Sequence, residues 1–260
     1  MKIAYDGTVF HGQARQPGLR TVEGEVIHAL VRAPAIRDVR TARFESASRT
    51  DRGVSALGNV VAFDTGLPPR AAVRAFNAKS RGVWAWAAAA VPEDFRARRA
   101  RERWYRYLLP GEHELRVLNR AVGVFQGEHD FRNFTRDRER TVARIDTARA
   151  SIDGNYVAID LKAPSFRWNL VRRLVSAALR VEAGDATVGD LTIALDGPGR
   201  IDMGLAPAEP LILMDVRYNL EFSPVSDPTT ASRLREIVQN MTRRTRLLEE
   251  ISERFSARSP

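Results

Sequence analysis

Hydrophobic and polar positions alternate with period two at the start of the chain, over Lys2-Ile3-Ala4-Tyr5. They switch to helical spacing at Val22, Val26, Ile27, Leu30 and Val31, with Thr21 placed as an N-cap. Strand patterns follow over 58–63 and 83–91, separated by a helix that Pro68-Pro69 opens and that runs to about Lys79. A second stretch of similar content begins with a strand over 103–109. A strand near 142–152, a turn at Asp153-Gly154-Asn155 and a further strand then predict a hairpin. The last strand of that hairpin puts Val157, Ile159 and Leu161 on one face and Tyr156, Ala158 and Asp160 on the other. A helix from about Trp168 carries Val171, Leu174, Val175, Ala178 and Val181 on one face and Arg172, Ser176 and Arg180 on another, and a strand over 211–216 ends the stretch. The order of elements predicts a duplicated α+β unit, divided into an N-terminal half over 1–98 and a C-terminal half over 99–223.

Beyond Pro224, over 224–260, the pattern predicts one amphipathic helix of roughly eight turns. Leu234, Ile237, Val238, Met241, Leu248, Ile251 and Phe255 form its apolar stripe, which would pack on the protein's own body or on a partner helix or subunit.

Composition narrows the classes open to this chain. Of 260 residues, 41 are Lys or Arg against 32 Asp or Glu, and only Lys2, Lys79 and Lys162 are lysines, which leaves 38 arginines. A net charge of +9 points to a polyanion, because guanidinium groups pair bidentately with phosphate and release its counterions, although a GC-rich coding sequence also enriches arginine. The absence of cysteine excludes a disulfide framework, thiolate metal sites and a cysteine nucleophile. The first residues carry no apolar signal core, and the longest apolar run, over 83–91, is about half a membrane span. These features predict a soluble cytoplasmic protein with no membrane partner.

Histidines 11, 28, 113 and 129 are scattered, with no pair spaced to hold a metal from one helix face, and neither a Gly-rich phosphate loop nor a serine nucleophile elbow is present. A cofactor-free reaction or plain binding is therefore expected. The most unusual segment is Ser46-Ala47-Ser48-Arg49-Thr50-Asp51-Arg52-Gly53-Val54, a polar loop between strands in which Asp51 sits between two arginines. Such a carboxylate stays ionised, as a nucleophile or general base requires, while the same residues also suit a turn in which Asp51 caps its own backbone. Tyr105 and Tyr107, two apart in a basic strand, share a face that could stack on a base or pack into a core.

These residues together resemble the tRNA pseudouridine synthases of the TruA type. The matching blocks are Tyr5-Asp6-Gly7-Thr8 with His11-Gly12, Ser48 to Val54 with Gly58, Arg103 to Tyr107, Gly127-Glu128-His129-Asp130-Phe131, Phe166 with Leu170-Val171-Arg172, and Ala206 to Leu211. They fall in order over about residues 1 to 220, and the run Arg49-Thr50-Asp51-Arg52-Gly53-Val54 is the most specific of them. The resemblance implies an α+β fold of two halves related by pseudo-twofold symmetry. Their mainly antiparallel sheets would join across a basic central cleft, with helices on the outer faces and an added C-terminal helix. It implies isomerisation of uridine to pseudouridine in the anticodon stem-loop of tRNA by a homodimer, with no cofactor. It assigns Asp51 as the catalytic carboxylate, Tyr105 as the ring against the target uracil and Arg172 as the cation that pairs with Asp51. Arg49, Arg52, Arg106 and Tyr107 are the expected RNA contacts.

The sequence departs from the family in three places. Gln13-Ala14 replaces the usual aromatic-Gln pair, Trp168-Asn169-Leu170 replaces a more polar run and leaves Arg173 as a rival to Arg172, and Arg52 and Ser55 match the archaeal branch. Two other functions stay in view. One is a non-catalytic RNA-binding or RNA-folding protein with the same cleft. The other is a metal-dependent nuclease, which would need converging carboxylates that the sequence does not offer.

Overall fold

The alternation at the chain start becomes β1 (Lys2–Tyr5), and its neighbours in the sheet are β3 (Ser55–Ala62) on one side and β4 (Val83–Ala88) on the other. The computed structural model describes residues 1–197 and 199–256, and the chain divides after Pro224 into two compact units. In the first unit, helix α1 (Val22–Arg32) starts where Thr21 accepts the Gly24 N–H at 3.2 Å, and it buries Val22, Val26, Ala29 and Leu30. A short strand, β2 (Glu45–Ser46), pairs with β3. Helix α2 (Pro69–Lys79) begins on the predicted proline, whose missing N–H costs nothing in a first turn.

The second stretch supplies β5 (Glu102–Pro110), α3 (Leu115–Gly123), β6 (Gly127–Asp130), β7 (Val142–Ile145), β8 (Thr147–Asp153), β9 (Tyr156–Ala163), α4 (Leu170–Glu182), α5 (Val188–Asp196), β10 (Leu211–Arg217) and β11 (Ser223–Pro224). Among the described residues these strands make a nine-stranded, mainly antiparallel sheet in the order β11-β4-β1-β3-β10-β5-β9-β8, with β2 beside β3 and with β6 and β7 as a separate ribbon. The predicted hairpin is β8 and β9, joined by Gly154-Asn155 with Asp153 opposite Tyr156.

The expected boundaries shift where the chain changes partner. Strand β3 starts at Ser55 rather than 58 because Ser55 and Ala56 lie in register with Ile212 and Leu213 of β10. The single strand expected over 142–152 is two: β7 pairs with β6, β8 pairs with β9, and the break falls at Asp146. Helix α4 starts at Leu170, since Asn169 adopts a left-handed φ of 63°. Strand β10 does more than end the second stretch: it lies parallel to β3 and antiparallel to β5, so it joins the two stretches into one sheet.

Each stretch also satisfies an outer strand with an asparagine. Asn77 of α2 donates to the Ala85 carbonyl and accepts the Ala85 N–H, both at 2.8 Å, and Asn119 of α3 does the same for Ala150, both at 2.9 Å. Backbone groups of β4 and β8 that no strand pairs are thereby hydrogen-bonded. The second unit carries helix α6 (Pro228–Ser256); Asp227, just before it, accepts the Thr230 N–H at 3.1 Å, and within it Arg246 pairs with Glu250 at 3.0 Å. No helix among the described residues is long and apolar enough to cross a membrane.

Candidate active site

The loop before β3 is held from below by a buried polar network. Tyr5, at the end of β1, hydrogen-bonds through its phenol to Thr50 Oγ1 at 2.9 Å. Asn59, fully buried in β3, donates to the Tyr5 oxygen at 3.2 Å and to the Ser48 carbonyl at 3.0 Å. Burial pushes the Tyr5 phenol up to about 12 despite these hydrogen bonds, so it stays a neutral hydroxyl. Gly7 follows Tyr5 closely, and a Cβ there would stand 2.1 Å from the Val54 carbonyl oxygen, so only glycine lets the two segments touch. The Tyr5-Asp6-Gly7 block and the Asp51 block are therefore two sides of one contact.

A second support comes from β5. Arg103 is buried, donates from Nε to Ser48 Oγ at 2.9 Å and from Nη2 to the Ala47 and Arg98 carbonyls at 2.9 and 3.0 Å, and also donates to the Pro164 carbonyl. Its partners are neutral oxygens, and burial lowers its pKa. On the same face of β5, Tyr105 is 7% exposed and meets Phe166 edge to face at 5.1 Å. Burial raises the Tyr105 pKa, with the charge of Asp51 adding to the effect, so the ring is uncharged.

Strand β10 sets this juxtaposition. Tyr105 lies opposite Leu213, Leu213 lies opposite Ala56 of β3, and Ala56 lies opposite Tyr5, so one row of the sheet runs from the Tyr105 ring to the base of the Asp51 loop. At about 4.8 Å per strand, Tyr105 and Ala56 are roughly 10 Å apart across the sheet.

Helix α4 brings the cation. Arg172 donates from Nη1 to Asp51 Oδ2 at 3.2 Å and from Nε to the Ala206 carbonyl at 2.7 Å, with side-chain exposures of 15% for Arg172 and 31% for Asp51. The Ala206 N–H returns a hydrogen bond to the Arg172 carbonyl at 3.2 Å, which ties the segment before β10 to α4. Arg173 instead pairs with Asp202 at 2.7 Å, so of the two neighbouring arginines it is Arg172 that reaches Asp51. At Gly53, whose φ is 89°, a Cβ would come within 3.1 Å of Ala208 and Glu209, so the turn after Asp51 fits against the same segment.

The remaining expected site residues separate. Arg49 and Arg52 are exposed on the loop. Tyr107 shares the Tyr105 face but is only 2% exposed, and its pKa, raised by burial, is pulled down by the nearby Arg172 and up by Glu209. It forms wall rather than open surface. Arg106, expected as an RNA contact, is not brought to Asp51: alternation along β5 turns it to the opposite face. There it pairs with Asp160 at 2.9 Å and Asp153 at 2.6 Å. Gln13, where the sequence departs from the family, is 1% exposed, and its Oε1 finds no hydrogen-bond donor among the described residues. Asn59 lies outside the matching blocks, and Tyr5 and Arg103, although within them, carry no role there; the β5 alternation that pairs Tyr105 with Tyr107 puts Arg103 on the same face.

A paired carboxylate, half-exposed beside a buried ring and a basic loop, can act on a base held against that ring. The sequence pattern of the tRNA pseudouridine synthase family matches residues 121–219. The chain is 42% identical to a tRNA pseudouridine synthase A from Methanococcoides burtonii, covering 96% of this chain and 94% of that one. It is 42% identical to the enzyme of the same name from Thermococcus sibiricus, covering 84% of each chain. A Methanosarcina barkeri protein of that name is 38% identical over 97% of this chain and 96% of its own. The chain belongs to the tRNA pseudouridine synthase family.

Proposed function

We propose that the protein isomerises uridine to pseudouridine in the anticodon stem-loop of tRNA, with Asp51 as the catalytic carboxylate. The observation that carries this reading is the Asp51–Arg172 pair on a loop whose following strand, β3, shares a sheet row with Tyr105 through Ala56 and Leu213. The reaction breaks the N1–C1′ bond, turns the uracil and joins C5 to C1′, and the proton from C5 ends on N1. No electrons are gained or lost overall, so no redox cofactor is required. Asp51 can attack C1′ or remove a ribose proton, and Arg172 fixes its orientation. Tyr105 keeps the detached uracil in place while it turns. A base inside a stem must first leave the stack, at a cost of a few kcal/mol that arginine contacts to phosphate offset.

In this reading the two stretches are halves on either side of the β3–β10 pair, with a basic cleft between them. The asparagine-to-alanine device that recurs in α2 and α3 supports it. Arg49 and Arg52 contact RNA, Tyr107 lines the wall, and the enzyme works in the cytoplasm as a homodimer, as the family resemblance implies. Incubating a tRNA transcript with the wild type and with Asp51→Asn, then mapping pseudouridine, tests the proposal. Undiminished pseudouridine in the variant would remove Asp51 from the chemistry.

A further inference from the structure

A second concentration of charge lies outside the Asp51 site. Arg20, Arg32, Lys79 and Arg81 line a cavity of about 480 Å³ together with His28 and one carboxylate, Glu25. Glu25 is already engaged: it accepts the Arg81 N–H at 2.8 Å and stands 3.8 Å from Arg20. Arg20 also donates to the Arg81 carbonyl at 2.7 Å and lies over the Phe10 ring at 4.5 Å, so the wall of the cavity is fixed. Arg32 and Lys79, in the last turns of α1 and α2, have no ion-pair partner among the described residues. Four cations against one committed carboxylate favour an anion, and an exposed cavity of this size and charge admits phosphate groups rather than a compact apolar ligand.

The topology places this cavity relative to Asp51. Val83, which starts β4 just after Lys79 and Arg81, pairs with Tyr5, and Tyr5 pairs with Ala56 at the start of β3 just after Asp51. Both segments therefore leave the same end of the sheet, two strands apart, which is roughly 10 Å. The His11 N–H donates to the Arg20 carbonyl at 2.8 Å and the Gln13 N–H to the Thr50 carbonyl at 3.0 Å, so one short loop touches both. A separation of this order is a few nucleotides of an RNA strand at most.

We infer that the Arg20, Arg32, Lys79 and Arg81 cavity binds backbone phosphate of the substrate RNA a few nucleotides from the uridine presented to Asp51. The inference rests on Asp51 being the catalytic carboxylate. It gives the enzyme a fixed ruler between a phosphate and the isomerised base.

The test is tRNA binding as a function of salt, with pseudouridine formation followed in parallel, for the wild type, Arg32→Gln/Lys79→Gln, and a charge-matched control, Arg116→Gln/Arg120→Gln on α3. The cavity variant is expected to bind about tenfold more weakly near 0.1 M salt, and its log K against log salt slope to fall by about 1.4 to 1.8. The control is expected to change affinity by less than about threefold, and a control matching the cavity variant in affinity and slope would overturn the inference. Inorganic tripolyphosphate provides the other arm. If it stabilises the wild type and not the cavity variant while RNA affinity is equal in both, the cavity serves a free polyphosphate and the inference fails. A wild type that binds tRNA without forming pseudouridine overturns the role of Asp51 alone, and the salt slopes then still decide the cavity.

Discussion

Asp51 and Arg172, 121 residues apart in the chain, meet through a hydrogen bond of 3.2 Å from guanidinium Nη1 to carboxylate Oδ2. The same guanidinium is anchored by Nε on the Ala206 carbonyl, so its planar fork is set before it touches the carboxylate. The pair depends on both stretches being in place, since the loop belongs to one and α4 to the other.

Asp51→Asn keeps the shape and removes the charge. Single-turnover pseudouridine formation is expected to fall by at least about 10³-fold, with tRNA affinity within about threefold of wild type. Arg172→Ala frees Asp51 to rotate and leaves the Ala206 carbonyl without its donor, and a loss of about 10²-fold in rate is expected from mispositioning alone. Arg172→Lys supplies one donor group where two separate oxygens are held, so it recovers only part of that loss. Rapid-quench assays on a tRNA transcript read all three.

Tyr105 is proposed to act through its ring. Tyr105→Phe is expected to retain activity within about threefold. Tyr105→Ala loses base contact worth about 1–3 kcal/mol, a drop of about fivefold to 150-fold. Because burial holds the Tyr105 phenol above its ordinary value, the pH–rate profiles of wild type and Tyr105→Phe should coincide up to about pH 10. A new alkaline limb in the wild type alone would assign chemistry to the hydroxyl.

Much of this arrangement is legible along the chain, and its limits have physical causes. The Asp51 loop and the β5 alternation are local patterns, and both the loop position and the Tyr105 face follow from them. Arg172 as the partner of Asp51 follows only from resemblance, because the distinction from Arg173 depends on the left-handed turn at Asn169. The insertion of β10 between β3 and β5 is nonlocal: nothing in its own residues says which strands it pairs. Helix α3 buries Leu118, Ala121 and Val122 at helical spacing, but its nine residues make only about two and a half turns between two strands. Helix α5 carries a legible capping box in Thr187 and Asp190, but its apolar content lacks a single stripe. Arg106, an RNA contact by resemblance, faces away from Asp51 because β5 alternates, and the two aspartates that pair with it there lie in other parts of the chain.

Tyr5 gives the fold an alkaline limit. Its folded-state pKa is raised from 10 to about 12, so the stabilisation from keeping it protonated is complete below pH 10 and is lost as pH rises toward 12. The total for this group is about 2–3 kcal/mol. Urea midpoints measured at pH 8, 10 and 11 are expected to fall above pH 10. Tyr5→Phe, less stable at pH 8 for lack of the Thr50 and Asn59 hydrogen bonds, is expected to show a shallower fall.

Arg103→Met tests the support under the loop. The substitution fits the buried stem but leaves Ser48 Oγ and the Ala47, Arg98 and Pro164 carbonyls without a shared donor. A loss of about 3 kcal/mol in stability is expected, read by urea unfolding. Activity among the molecules still folded is also expected to fall, because Ser48 carries the loop that presents Asp51.

Gly7→Ala asks whether the contact between the two motif blocks is needed for chemistry. A Cβ at residue 7 would stand 2.1 Å from the Val54 carbonyl oxygen and 2.8 Å from the Gly53 carbonyl carbon, and both are backbone atoms that can yield only by moving the turn after Asp51. Movement of that turn disturbs the Gly7 N–H bond to Ser55 Oγ and shifts Asp51 relative to Arg172. The expected outcome is a loss of a few kcal/mol in stability and, at temperatures where the variant is fully folded, a drop in rate of about 10²-fold at saturating RNA. A variant that loses stability yet turns over at the wild-type rate would show that the turn relaxes away from Asp51 and that the two blocks are joined for folding alone.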